Sequence, residues 1–171
     1  MSIPMSRLTV PVFVRGLTVL SALLKKGEAH AAAAGIAPEA LLGARLADDM
    51  LPLTAQVQRA SDTAKFAIQR IGGGDAPAFA DDEASFDALQ ERIARTIGFL
   101  EGADTASLDA GATRAVKLSW IAAEFTGESY LLGFALPNFY FHVTTAHDIL
   151  RNQGVKIGKL DYLGRFGDQP A

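Results

Sequence analysis

The sequence predicts an all-α domain: a bundle of four long helices, with a small β-hairpin between the third and the fourth. Three observations point to it. Four stretches repeat apolar residues at steps of three and four, the spacing of a single helix face. A glycine follows the end of each stretch, where a helix can be stopped without steric penalty. Only between the third and fourth stretches does the period change to strict alternation, the mark of a strand. At 171 residues the chain has the size of one domain with a sizeable core, and no linker or internal repeat divides 1–171.

In the first helix Phe13, Leu17, Leu20 and Leu24 share a face, alanines extend it to about Ala34, and Gly35 is placed to cap it. Pro38 to Met50 leads to the second helix, with a short helical turn at Glu39 to Leu42. The second helix carries Leu53, Val57, Ala60, Ala64, Ala67 and Ile71 as one stripe, and Gly72-Gly73-Gly74 ends it. A loop rich in Gly, Ala and Asp runs from Gly73 to Ala84. Ser85 is placed as N-cap of the third helix, which carries Phe86, Leu89, Ile93, Ile97 and Leu100 and ends at Gly102. In the long connection that follows, Val116, Leu118 and Trp120 alternate with Lys117 and Ser119, and Phe125 belongs to a partner strand across Ile121 to Ala123. Thr126 is positioned to cap a short helix through Tyr130 to Phe134. The fourth helix starts near Pro137, carries Phe139, Val143, Ala146 and Leu150, and ends before Gly154. The expected core joins Leu17, Leu20, Val57, Ala64, Ile93, Ile97, Val143 and Leu150. The tail from Gly154 to Gly164 is expected to be ordered by Val155, Ile157, Leu160, Tyr162 and Leu163, whereas Phe166 to Ala171 has little to hold it.

Composition narrows the function. Hydrophobic residues make up 49% and charged residues 20%, which excludes wholesale disorder. A net charge of −3 leaves no basic excess to neutralise a phosphate backbone, so no nucleic-acid partner is expected. With no cysteine there is no disulfide framework, thiolate metal site or cysteine nucleophile. The apolar run Leu8 to Val14 precedes Arg15, Lys25 and Lys26, the reverse of a signal peptide, and no stretch is read as a membrane span. The expectation is a soluble, unprocessed, cytoplasmic protein.

Three histidines could carry chemistry: His30, His142 and His147. Helical residues four apart diverge by about 40° and can converge on one ion, whereas His142 and His147, five apart, diverge by about 140°. His142 lies beside Phe139, Ala146 and Ile149 and should lean inward, as a general acid/base or ligand-binding group or as a core-edge histidine bonded to a neighbouring helix. His147 and His30 are read as surface groups. On the second helix Gln56 is a pocket candidate and Asp49 can lie at the bundle's mouth. Asp62 and Lys65, three apart, read as a solvated ion pair. Phe66, off the apolar stripe with Asp62 and Gln69, awaits cover by the tail or by a second subunit. The aromatic residues Trp120, Phe125, Tyr130, Phe134, Phe139, Tyr140 and Phe141 either pack the hairpin on the bundle or wall a pocket, with Tyr130 or Tyr140 presenting a hydroxyl. The triple glycine ends a helix and is followed by no Lys-Ser or Lys-Thr, so it is not a phosphate loop.

The string PNFYFHVTTAHDILRNQGVKIGKLDYLG, residues 137–164, resembles the C-terminal signature of a family of uncharacterised bacterial proteins in the DinB-like, or YfiT-like, four-helix-bundle superfamily. LADDMLPLTAQVQRASDTAK, residues 46–65, resembles the same family's second helix, and Ser85 to Glu101 its third. The resemblance implies an up-down-down-up bundle and a homodimer. It also implies that relatives hold a divalent metal on three histidines, one on the second helix and two spaced i, i+4 on the fourth. Here Ala146 stands four residues after His142, and the second helix has no histidine. The expectation is therefore a protein without the complete metal site and without a cofactor, binding a small molecule near His142, with Gln56, Asp49, Tyr140, Tyr130 and Trp120 around it. The alternatives are a metal-dependent thiol transferase or hydrolase with a non-standard ligand set, and a structural or interaction dimer.

Overall fold

The computed structural model describes residues 3–164. Helix α1 spans Met5–Ala34, and Gly35 ends it in the left-handed conformation (φ 65°) with its N–H bonded to Ala31 O. The short α2, Pro38–Leu42, leads to α3, Leu53–Gly72. Helix α4, Phe86–Glu101, starts on Ser85, whose side chain accepts from Ala88 N. Three of the four long helices therefore stand close to where the periodicity puts them.

Side-chain contacts fix their directions. Ser21 bonds Gln90 and Gly27 lies by Phe86, so α1 and α4 are antiparallel. Gln58 meets Glu83 just before α4, Ser61 meets Thr96 within it, and Gly72 at the end of α3 lies by Leu108 just after it, so α3 and α4 run the same way. Thr63 meets Asn138 and Gln56 meets His142, so the last long helix, α7 (Leu136–Asn152), runs opposite to α3. The order is up-down-down-up. The parallel step between α3 and α4 requires the chain to travel back along α3. Residues 73–85 do this, meeting Lys65 at Pro77, Arg59 at Asp81 and Gln58 at Glu83.

The long connection after α4 holds more structure than expected. Asp104 caps a further helix, α5, Thr105–Ala110, by accepting from Ala106 N. Strands β1, Ala115–Lys117, and β2, Glu124–Thr126, pair antiparallel with Val116 opposite Phe125. β1 stops at Lys117, so Leu118 and Trp120 lie beyond the ladder. The hairpin base sits hard against the end of α3. A Cβ on Gly111 would lie 2.0 Å from Ile71 O, and one on Gly127 would lie 2.1 Å from Gly111 O.

Thr126 caps α6, Gly127–Tyr130, in a reciprocal capping box with Ser129. A π turn, Leu131–Ala135, then joins α6 directly to α7, Leu136–Asn152. The short and fourth helices of the sequence reading are thus one continuous run. Pro137 explains the widened turn: it offers no N–H to Gly133 and its ring would clash with that carbonyl. The tail ends in α8, Lys159–Leu163. Val155 and Ile157 are buried, and Asp161 pairs with Lys26 of α1. The expectation for Phe166 to Ala171 lies outside the described residues.

Every expected core residue is buried except Ile97, which is half-buried. One expectation is corrected: α1, at 30 residues, is long and apolar enough to cross a membrane by length and composition. In this fold its Phe13, Leu17, Leu20 and Leu24 are instead at the bundle's centre.

Candidate functional site

Helix α3 presents polar groups to two different seams. Towards α4 and the returning connection lies a buried charge network. Arg92, only 2% exposed, donates from Nη1 to Glu83 (2.8 Å), Asp81 (3.0 Å) and Ala80 O (3.0 Å), and from Nη2 to Asp62 (2.9 Å). Lys65, 1% exposed, pairs with Asp62 at 3.1 Å, donates to Pro77 O, and lies 3.8 Å from the centre of the Phe79 ring. Burial pushes the Lys65 pKa down. Burial opposes ionisation of Glu83 too, yet hydrogen bonds from Arg92 and Gln58 hold its carboxyl below the ordinary value. The Asp62–Lys65 pair is therefore not solvated, because the returning connection lies over it.

Towards α7 the polar groups are neutral. His142, 8% exposed, places Nδ1 2.7 Å from Gln56 Oε1. The Gln56 amide nitrogen donates to Leu51 O at 3.0 Å, so its oxygen faces the ring and Nδ1 carries the imidazole proton. Burial, and then the charge of Arg59, lower the His142 pKa to about 4. At neutral pH this histidine is uncharged and bridges α7 to α3. Only Nε2 remains to ligate a metal. Ala146 has no donor atom, the helix opposite supplies an amide oxygen already bonded to Nδ1–H, and the nearest charge felt by the ring is cationic. Among the described residues, no three His, Asp or Glu side chains form a metal-binding group. The residues present do not fit a three-histidine metal site.

One turn of α7 before His142, Asn138 donates to Thr63 Oγ1 at 2.7 Å. Beyond that bond the seam opens into a cleft of about 340 Å³ between α3, the hairpin and the π turn. Its α3 wall carries Arg59, Asp62, Thr63, Phe66 and Arg70, and Trp120, Tyr130, Phe134 and Asn138 face them. Tyr130 stacks on Phe134 at 5.8 Å, and Trp120 approaches Phe134 at 6.5 Å. The aromatic residues both pack the hairpin and wall the cleft. Arg70 Nη1 donates to Tyr130 Oη at 2.8 Å, and burial raises the Tyr130 pKa.

The expected site is thus divided. Tyr130 and Trp120 line the cleft, and His142 and Gln56 close the seam at its edge. Asp49 is an exposed residue of the loop before α3. Tyr140 lies on the other side of α7, by a pocket of about 120 Å³ under Tyr162 and Leu163. Phe66 is half-buried beneath Arg70 (5.1 Å), in the cleft and not under the tail. His147 is a correction as well: it is 9% exposed, bonds Asp148 at 2.8 Å, and is covered by Tyr162 of the tail. His30 is half-buried near Gly154. Sequence reasoning missed Arg59, Arg70, Arg92 and Asn138. Arg92 carried a signal, since it lies three residues after Leu89 and four before the buried Thr96 on an otherwise apolar face.

Residues 5–163 match the family described as a domain of unknown function, DUF1993. The crystal structure of a DinB family member from Shewanella denitrificans is similar at 38% identity and a TM-score of 0.90, over 97% of this chain and 95% of that one. No curated protein matches the chain at a significant level. Signature, topology and neighbour agree, and the chain belongs to the DUF1993 family, within the DinB-like superfamily of helical bundles.

Proposed function

We propose that this protein binds a small molecule in the cleft between α3, the hairpin and the π turn. The observation that carries the reading is convergence: Arg70, Asn138 and Thr63 bring polar groups into a space walled by Phe66, Trp120 and Phe134. Apolar walls with a few placed polar groups are the usual composition of a ligand site. His142 stands at the edge of this space and acts through Gln56, holding α7 at the spacing that keeps the cleft open. A metal-dependent reaction on His142 has no such support, because Ala146 has no donor atom, the Gln56 oxygen is already bonded to the ring, and the charge acting on the ring is the cation of Arg59.

A panel of neutral, anionic and cationic aromatic fragments, followed by backbone amide shifts in NMR, tests the reading. The expected result is a group of shifts at residues 59–70 and 130–138 from at least one fragment. Shifts scattered over the surface, or confined to the region of Tyr140 and Tyr162, would contradict it.

A further inference from the structure

The cleft has donors in excess at its α6 end. A guanidinium offers five N–H groups. Arg70 gives one to Tyr130 Oη and, among the described residues, has no carboxylate within ion-pair distance. Its neighbours differ. Arg59 holds Asp62 and Asp81, Lys65 holds Asp62, and Arg92 holds Asp62, Asp81 and Glu83. The Tyr130 oxygen accepts from Arg70, and its own O–H finds no acceptor among the described residues, although the ring is fully buried. Burial holds this phenol protonated well above neutral pH, so it remains a donor.

The Arg70 guanidinium thus keeps free N–H groups at the cleft, with the buried Tyr130 hydroxyl behind it. The guanidinium is also held in place, 5.1 Å over Phe66 and 5.6 Å over Tyr130. A guanidinium held from behind by a buried hydroxyl suits a carboxylate, which accepts charge-assisted hydrogen bonds from its free N–H groups. Beside them Phe66, Phe134 and Trp120 offer flat apolar faces, and a space of about 340 Å³ accommodates a body of one or two rings.

We propose that the cleft selects a planar aromatic carboxylate, with the carboxylate on the Arg70 guanidinium that Tyr130 holds in place and the ring against Phe66, Phe134 and Trp120. This rests on the cleft-binding reading and adds the class of ligand. The test is calorimetric titration of the full chain with 2-naphthoate and with its neutral isostere 2-naphthamide, then of Arg70→Met and Tyr130→Phe with 2-naphthoate. The expected result is one site per chain for the acid, with the amide weaker by about tenfold or more and Arg70→Met losing a similar factor. Tyr130→Phe, which removes the hydroxyl that holds the guanidinium, should lose a smaller factor of about threefold. The acid–amide comparison uses unaltered protein and holds even where a variant folds poorly. Equal affinity for acid and amide would overturn the proposal while leaving a cleft that binds. Absence of acid binding would also overturn it, and the cleft-binding reading would then be judged on the neutral and cationic fragments alone.

Discussion

The two seams of α3 use polar residues in opposite ways. Towards α4, three carboxylates surround Arg92, and one of them also takes Lys65. The charges are sequestered, and the network joins three segments distant in sequence. Towards α7, His142 and Gln56 complete a neutral bridge, but farther along Arg70 is left with donors unused. A buried ion costs too much to remain unpaired, so ion pairing of this density marks a structural site, although the Arg92 Nε–H itself has no partner among the described residues. Unused donors at a half-open surface mark a place where something else can bind. The superfamily position at His142 belongs to the first kind, and the Arg70 end of the cleft to the second.

Breaking the saturated seam should have the largest effect. Arg92→Ala takes from Glu83 its one cation among the described residues and from Asp62 one of three, and should destabilise the fold by about 3–5 kcal/mol in urea titration. A loss below about 1 kcal/mol would mean that the network is hydrated and contributes little.

Next comes pH. The folded His142 pKa, about 4, lies below the ordinary 6.5, so the unfolded chain binds the proton more readily. Stability from this group is complete above pH 6.5 and falls as the pH drops towards 4. The relation gives about 2 kcal/mol lost between pH 7 and pH 5. Glu83, with its carboxyl held low, adds its own loss only below the ordinary carboxylate range. His142→Gln should flatten the curve between pH 7 and 5 while keeping a donor for Gln56. An unchanged slope would show that His142 is not the group responsible.

Smaller effects distinguish the neutral bridge from the open end. Asn138→Ala removes one hydrogen bond, to Thr63, and should cost about 1 kcal/mol in thermal unfolding. Arg70→Met breaks no ion pair but leaves the buried Tyr130 hydroxyl without its partner, and should cost about 1 kcal/mol, well short of Arg92→Ala. A large loss at Arg70 would make it structural and remove the contrast with Arg92.

The long helices were legible because their apolar spacing is a local property and their ends carry Gly35, Ser85 and Gly102. The hairpin was legible from the alternation around Val116, although its ladder is only three residues on each strand. Helix α5 was overlooked despite Asp104, since it contributes one buried residue, Leu108, and so no periodic stripe. The π turn depends on Pro137 acting on the residues before it, whereas a proline read alone looked like a helix start. Within the site, His142 and Gln56 were each singled out, and their bond joins residues 86 apart in sequence. Arg92, Lys65 and Glu83 could not be read as buried, because what covers them is the return path of the connection between α3 and α4. Only the parallel direction of those helices makes that path necessary.

The contrast between the seams is tested most directly by one measurement: side-chain NMR of the His142 ring and the Arg70 Nε–H during titration with 2-naphthoate at pH 7. The expected result is a saturable shift of the Arg70 signal, with the His142 ring nitrogens unmoved and Nδ1 still protonated. A shift of the His142 ring with Arg70 unaffected would contradict it and place the open site at the α3–α7 bridge instead.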